Sequence, residues 1–151
     1  MRRAGMGMLA ALLAGCACSS SAYVRVGLPP GEVLSRHATV ARYEGVEEVP
    51  CRHRTAECPD GCAHGGRHAV FRIETYAAYE RPGEHGDEKQ ERFLLRLGKN
   101  GVPDAQLSPA LLQVLARLSP GQRVKLEWAH VYRSDAAGSR WPERIVTRLA
   151  E

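Results

Sequence analysis

The reactive side chains of this chain gather in one stretch, Cys51-Arg52-His53-Arg54-Thr55-Ala56-Glu57-Cys58-Pro59-Asp60-Gly61-Cys62-Ala63-His64-Gly65-Gly66-Arg67-His68. These 18 residues hold three of the five cysteines and three of the six histidines. Thiolate sulfur and neutral imidazole nitrogen are the ligands that suit Zn²⁺ in a tetrahedral site, and thiolates also suit Cu(I). Pro59-Asp60-Gly61 is a strong turn signal that folds Cys58 back towards Cys62. Gly65-Gly66 lets the chain bend tightly after His64. The metal reading therefore takes Cys58, Cys62 and His64 as ligands, with Cys51 or His53 completing the set and His68 as a further candidate. The spacing C-x3-C-x-H departs from the zinc-finger pattern, whose histidines lie far down the chain.

A second reading uses the same sulfurs differently. In an oxidising compartment, two of Cys51, Cys58 and Cys62 form a disulfide that staples the loop. With Cys18 there are four cysteines besides Cys16, which permits three full pairings. Both readings stay open at this point. A Cys–His nucleophile within residues 51–68 is a weaker third use of these groups.

Elsewhere the chemistry is thinner. Glu80 to Glu88 is an acidic turn whose spacing misses the EF-hand pattern, so a solvated hairpin loop is expected there. His130 follows Trp128 by two residues on one strand face, where it lines the site or the core rim. Ser134 to Pro142 reads as another Gly/Ser loop, ending in Trp141-Pro142. No G-x-S-x-G, Walker loop or H-E-x-x-H is present, and a non-enzymatic role is expected.

The elements that must position these groups read as strands and one helix. Residues 38–49 are β-like, with Val40, Tyr43, Val46 and Val49, and Gly45 suits a bulge. Residues 69–79 alternate Phe71, Ile73 and Thr75 with Arg72 and Glu74. Residues 92–97 place Phe93, Leu95 and Leu97 inward. Ser108 then caps a helix with Pro109 in its first turn and a stripe of Leu111, Leu112, Leu115 and Leu118. Val124, Leu126 and Trp128 alternate with Lys125 and Glu127 in a fourth strand, and residues 145–149 make a fifth. Phe71 and Trp128 are expected in the core.

This order, three strands, a helix and two strands over residues 37–151, resembles the OB-fold. The resemblance implies an all-β domain: a small five-stranded Greek-key barrel with its helix between strands three and four. In that family the loops after strands one and four flank the binding face.

The first residues read as an address. Arg2 and Arg3 precede an 11-residue apolar run from Ala4 to Ala14, too short to span a membrane as a mature helix. Leu13-Ala14-Gly15-Cys16 resembles the lipobox of bacterial lipoproteins. The resemblance implies a signal peptide over residues 1–15, lipidation of Cys16 and attachment to membrane lipid, firm once two or more acyl chains are buried. Ala17 in place of Asp favours the outer membrane if the organism has two. Residues 16–36, rich in Ser, Gly and Pro, are expected as a tether, although Tyr23-Val24-Arg25-Val26 could add a short strand.

Length and charge set the remaining bounds. A chain of 151 residues with 44% hydrophobic content supports one domain. Arg2 and Arg3 account for two of its 21 basic residues, so cleavage leaves 19 against 17 acidic. That balance, and the exported location, exclude nucleic acid as the expected partner. The expectation is a lipid-anchored envelope module that binds Zn or Cu(I) through the Cys/His loop. The alternative is a disulfide-stapled scaffold that binds an envelope protein or glycan.

Overall fold

The computed structural model describes residues 23–28, 31–50, 65–99, 102–104 and 107–151. Its described residues form β1 (Tyr23–Arg25), β2 (Glu32–Val49), β3 (Gly66–Glu80), β4 (Arg92–Lys99), β5 (Val102–Pro103), α1 (Pro109–Arg117), β6 (Arg123–Ser134) and β7 (Arg140–Ala150). The class is all-β, as expected, but the strands number seven. The two additions, β1 and β5, are three and two residues long, too short to show alternation in sequence. The sheet thus begins inside the segment read as a tether. Among the described residues no helix is long and apolar enough to cross a membrane.

All the pairings are antiparallel, in the order β1-β7-β6-β2-β3-β4-β5. β6 returns beside β2, so β6-β2-β3-β4 follow the connection order of a Greek key, with α1 in the long crossing. The sheet is open, yet strongly curled. β4 and β6 are three strand spacings apart, about 14 Å if flat, but the Phe93 and Trp128 rings meet at 4.5 Å. Bulges in the long β2 produce this curl. Register shifts fall at Ala38/Thr39, Val40/Ala41 and Tyr43/Gly45, and Gly45 takes the φ of +108° that favours glycine at such a kink. The same shifts defeat simple alternation on β3. Phe71 is fully buried, but Thr75 faces out and Tyr76 turns partly inward.

The helix starts as its residues dictate. Ser108 Oγ accepts from the Leu111 N–H at 3.2 Å, and Pro109 stands in the first turn, where its missing donor costs nothing. Leu111, Val114, Leu115 and Leu118 are buried at i, i+3, i+4 and i+7, while Leu112 faces solvent. The helix packs against β1 and β7 and covers one part of the gap left by the open sheet. On the solvent face, Glu74 bridges Arg42 and Arg123, and Glu44 bridges Arg72 and Arg92. Such exposed pairs contribute little individually.

Trp128 and Phe71 are 1% and 0% exposed in the core. Either one changed to Ala should cost about 3–5 kcal/mol of unfolding free energy. Denaturant titration checks this, and a loss below about 1 kcal/mol at both sites would contradict their packing.

Candidate functional site

The curl leaves a cavity of about 740 Å³ where the sheet does not close. β4 supplies one wall through Phe93, Leu94, Leu95 and Arg96, and β7 supplies the other from Pro142 to Val146. His130 and Arg133 of β6, His68 of β3, Val26 and Gly27 after β1, and Asp104, Leu107, Ser108 and Leu111 around the start of α1 complete the lining. Apolar and charged groups are therefore mixed. Arg133 donates to the buried Glu143 at 2.8 Å and lies over the Trp141 ring. Arg96 stands 3.5 Å from Asp104.

Behind His130 lies a buried polar cluster. Arg144 donates both Nε and Nη2 to the Asp87 carboxylate, at 2.6 and 2.8 Å. His130 Nδ1 is 3.4 Å from Asp87 Oδ1. The Asp87 N–H donates to Ser35 Oγ, which also meets His37 Nε2 at 2.9 Å. His37 stacks on Trp128 with ring centroids 4.3 Å apart and planes within 7°. Gly86 makes this convergence possible, since a Cβ there would stand 2.2 Å from the Leu34 carbonyl oxygen. Tyr76 and Tyr79 tie the same loop to β3 through Gln90 and the Asp87 carbonyl.

Burial governs the ionisation of these groups. It lowers His37 to about 4, with Asp87 opposing and His130 and Arg144 adding to the fall. It lowers His130 as well, against the pull of Asp87. For Asp87, burial acts upward, but the Arg144 hydrogen bonds and charge hold its carboxyl below the ordinary value. Both imidazoles are thus neutral at pH 7. A serine hydroxyl on an imidazole is the contact an activated nucleophile uses, and here Ser35 and His37 are 0% and 2% exposed. The cluster's hydrogen bonds tie the loop after β3 to β2 and β7.

Of the residues singled out in sequence, Cys16, Cys51, His53, Cys58, Cys62 and His64 lie outside the described residues. His68 is placed on β3, buried in the cavity wall. Its Nδ1 is 2.8 Å from the Gly66 carbonyl, which can only accept, so Nδ1 is the donor in this contact. Among the described residues no group of three His, Cys, Asp or Glu is arranged to hold a metal. The acidic turn is no solvated hairpin at Asp87, whose two oxygens serve Arg144. His130 is 9% exposed at the cavity wall, the rim position that was one reading of its strand face. Tyr132 pairs with Glu32 and Gly66 with Val49, so the β6–β7 hairpin and the strand ends Val49 and Gly66 lie at opposite ends of β2. The cysteine loop between those strand ends lies outside the described residues. Ser35, His37 and Arg144 were missed, and Asp87 was read only as part of the acidic turn Glu80 to Glu88. Comparison with protein-family models, curated proteins and solved structures finds no match to this chain.

The His37 shift makes stability depend on pH. The unfolded chain protonates this imidazole near 6.5, whereas the folded chain resists until about 4. Below pH 6.5 the unfolded state therefore binds the extra proton, and stability falls as pH drops towards 4. Unfolding midpoints measured across that window should decline for wild type, and the decline should be shallower in His37→Gln.

Proposed function

We propose that this chain is a non-enzymatic binding module of the bacterial cell envelope, a lipoprotein anchored through acylated Cys16, with a metal-holding Cys/His loop on an OB-like domain. The observation that carries the metal part is the contact of His68 Nδ1 with the Gly66 carbonyl, at the strand end that leads out of the Cys/His segment. An imidazole that donates one N–H to a backbone carbonyl keeps its other nitrogen as a lone-pair ligand, the arrangement usual for metal-bound histidines. The paired strand ends Val49 and Gly66 bracket the segment that carries Cys51, His53, Cys58, Cys62 and His64. Zn²⁺ or Cu(I) suits that donor set. The OB-like reading draws support from the order β6-β2-β3-β4 and from the helix between the third and fourth long strands. The lipobox residues Leu13-Ala14-Gly15-Cys16 support the anchor, with Ala17 favouring an outer-membrane destination in a diderm host. Nucleic acid is not a partner in this reading.

Elemental analysis of the full-length protein purified in detergent, beside thiol titration, tests the loop. One Zn or Cu per chain is expected, with the thiols becoming reactive only on denaturation. Cys58→Ser should abolish binding, and binding should weaken below about pH 6 as ligands protonate. No metal together with a missing thiol pair would instead establish the disulfide-stapled scaffold that binds a protein or glycan.

The anchor has its own test. Cys16→Ser should remove lipid labelling and shift the protein from the detergent phase to the aqueous phase. Unchanged partitioning would overturn the lipoprotein reading.

A further inference from the structure

The short β1 changes where the anchor acts. Tyr23 opens the sheet, so residues 17–22 are all that separate it from Cys16. Those seven Cα–Cα steps reach about 25 Å at most. Tyr23 pairs with Ala150, which pairs in turn with Lys125, and this fixes the corner of the sheet that the anchor holds. Paired residues share a face of a sheet. The row Val24, Leu149, Leu126 and Thr39 is buried and therefore inward. The rows on either side of it face out, and they carry Arg25, Arg148, Glu127 and Lys125. Arg123, two residues before Lys125, pairs with Arg42 on that same face, and Glu74 bridges the two.

Ion pairs do not neutralise this corner. Glu127 takes Arg148, and Glu74 is shared between Arg42 and Arg123. Among the described residues Arg25 and Lys125 have no acidic partner. Five cations thus face two acids, and Glu151 beside Ala150 lowers the excess from three to two. The neighbouring ground is balanced, since Arg72 and Arg92 meet Glu44 and Glu47, and Arg36 lies opposite Glu80 in register. Outside the described residues the acids are Glu57 and Asp60, in the segment that joins Val49 to Gly66. Val49 is about 23 Å of strand beyond Arg42.

We propose that this outer corner, centred on Lys125, is the surface that the anchored protein lays against the anionic phospholipid headgroups of its own membrane. The inference rests on the lipoprotein reading of Cys16 and adds which face meets the bilayer. The anchor keeps the corner within reach of the surface, so docking is an intramolecular step and a small charge excess suffices. Each basic side chain near an anionic surface strengthens binding about fivefold, so an excess of two gives about 25-fold. That attraction needs the face within the Debye length of about 8 Å, which the short connection permits. A second copy of the chain would bring the same excess against itself.

The three lysines of the chain supply the readout. Lys125 lies on the docking face, and Lys89, exposed on the loop after β3, is the internal reference. Full-length protein is inserted into preformed phosphatidylcholine vesicles, with or without about one-third phosphatidylglycerol, and acetylated with an amine reagent. Relative to Lys89, Lys125 should react at least about fivefold more slowly on the anionic vesicles than on the neutral ones. Salt at about 1 M should restore its rate, and Arg25→Gln with Arg123→Gln, both exposed, should remove most of the protection. Equal Lys125 rates on the two vesicles, with mass spectrometry showing Cys16 lipidated, overturn the docking face and leave the anchor standing. A Cys16 without lipid overturns the anchor reading, and the docking with it. Protection of Lys125 that is already complete on neutral vesicles would assign the face to another occupant, a second copy included, and would also overturn the proposal.

Discussion

Much of this structure hangs on the indole of Trp128. One neighbour is Phe93, which belongs to a strand three places away in the sheet. Another is His37, stacked on it from the adjacent β2. Burying two large aromatics together contributes several kcal/mol through apolar area, with a further increment from ring geometry. That contact can form only if the sheet curls, so it selects the curled sheet over a flat one. Curling in turn brings β4 and β7 to opposite walls of one cavity.

The polar cluster is the consequence of curling around a core that is not wholly apolar. Ser35, His37 and Asp87 are drawn inward with the loop that follows β3, and each must find a partner or lose its hydration uncompensated. Asp87 finds Arg144 across the fold, bidentately, and offers its own N–H to Ser35. Arg144 is 55% exposed along its side chain while Asp87 is 12% exposed. The ion pair is therefore anchored in the protein at one end and screened by water at the other. Its value is positional more than energetic. It adds to the Tyr76, Tyr79 and Ser35 hydrogen bonds that hold the same connection.

The elements with a strong local signal were legible in the sequence. Ser108-Pro109 declared a helix start, and the strict alternation from Val124 to Trp128 declared a buried strand face. β5 was not declared, because two residues carry no period, and β1 was offered only as the alternative to a tether at Tyr23–Val26. The inward turn of Tyr76 was lost for a different reason: bulges on the partner β2 reset the face of β3, and they depend on the pairing rather than on β3 itself. The candidate site was legible only in part. His130 could be placed from its spacing to Trp128. The Asp87–Arg144 pair joins residues 57 apart, and nothing local in either stretch announces the other.

The open cleft also follows from this balance of forces. α1 lays Leu111, Val114, Leu115 and Leu118 over the part of the gap that adjoins the apolar core. It cannot serve the other part, where Arg96, Arg133, Arg144 and Glu143 would lose water against its leucines. Each of these charges is held by a partner, since Arg96 meets Asp104, Arg133 meets Glu143 and Arg144 meets Asp87. The lining is therefore charged but balanced, and hydration at the rim opposes its closure by an apolar element.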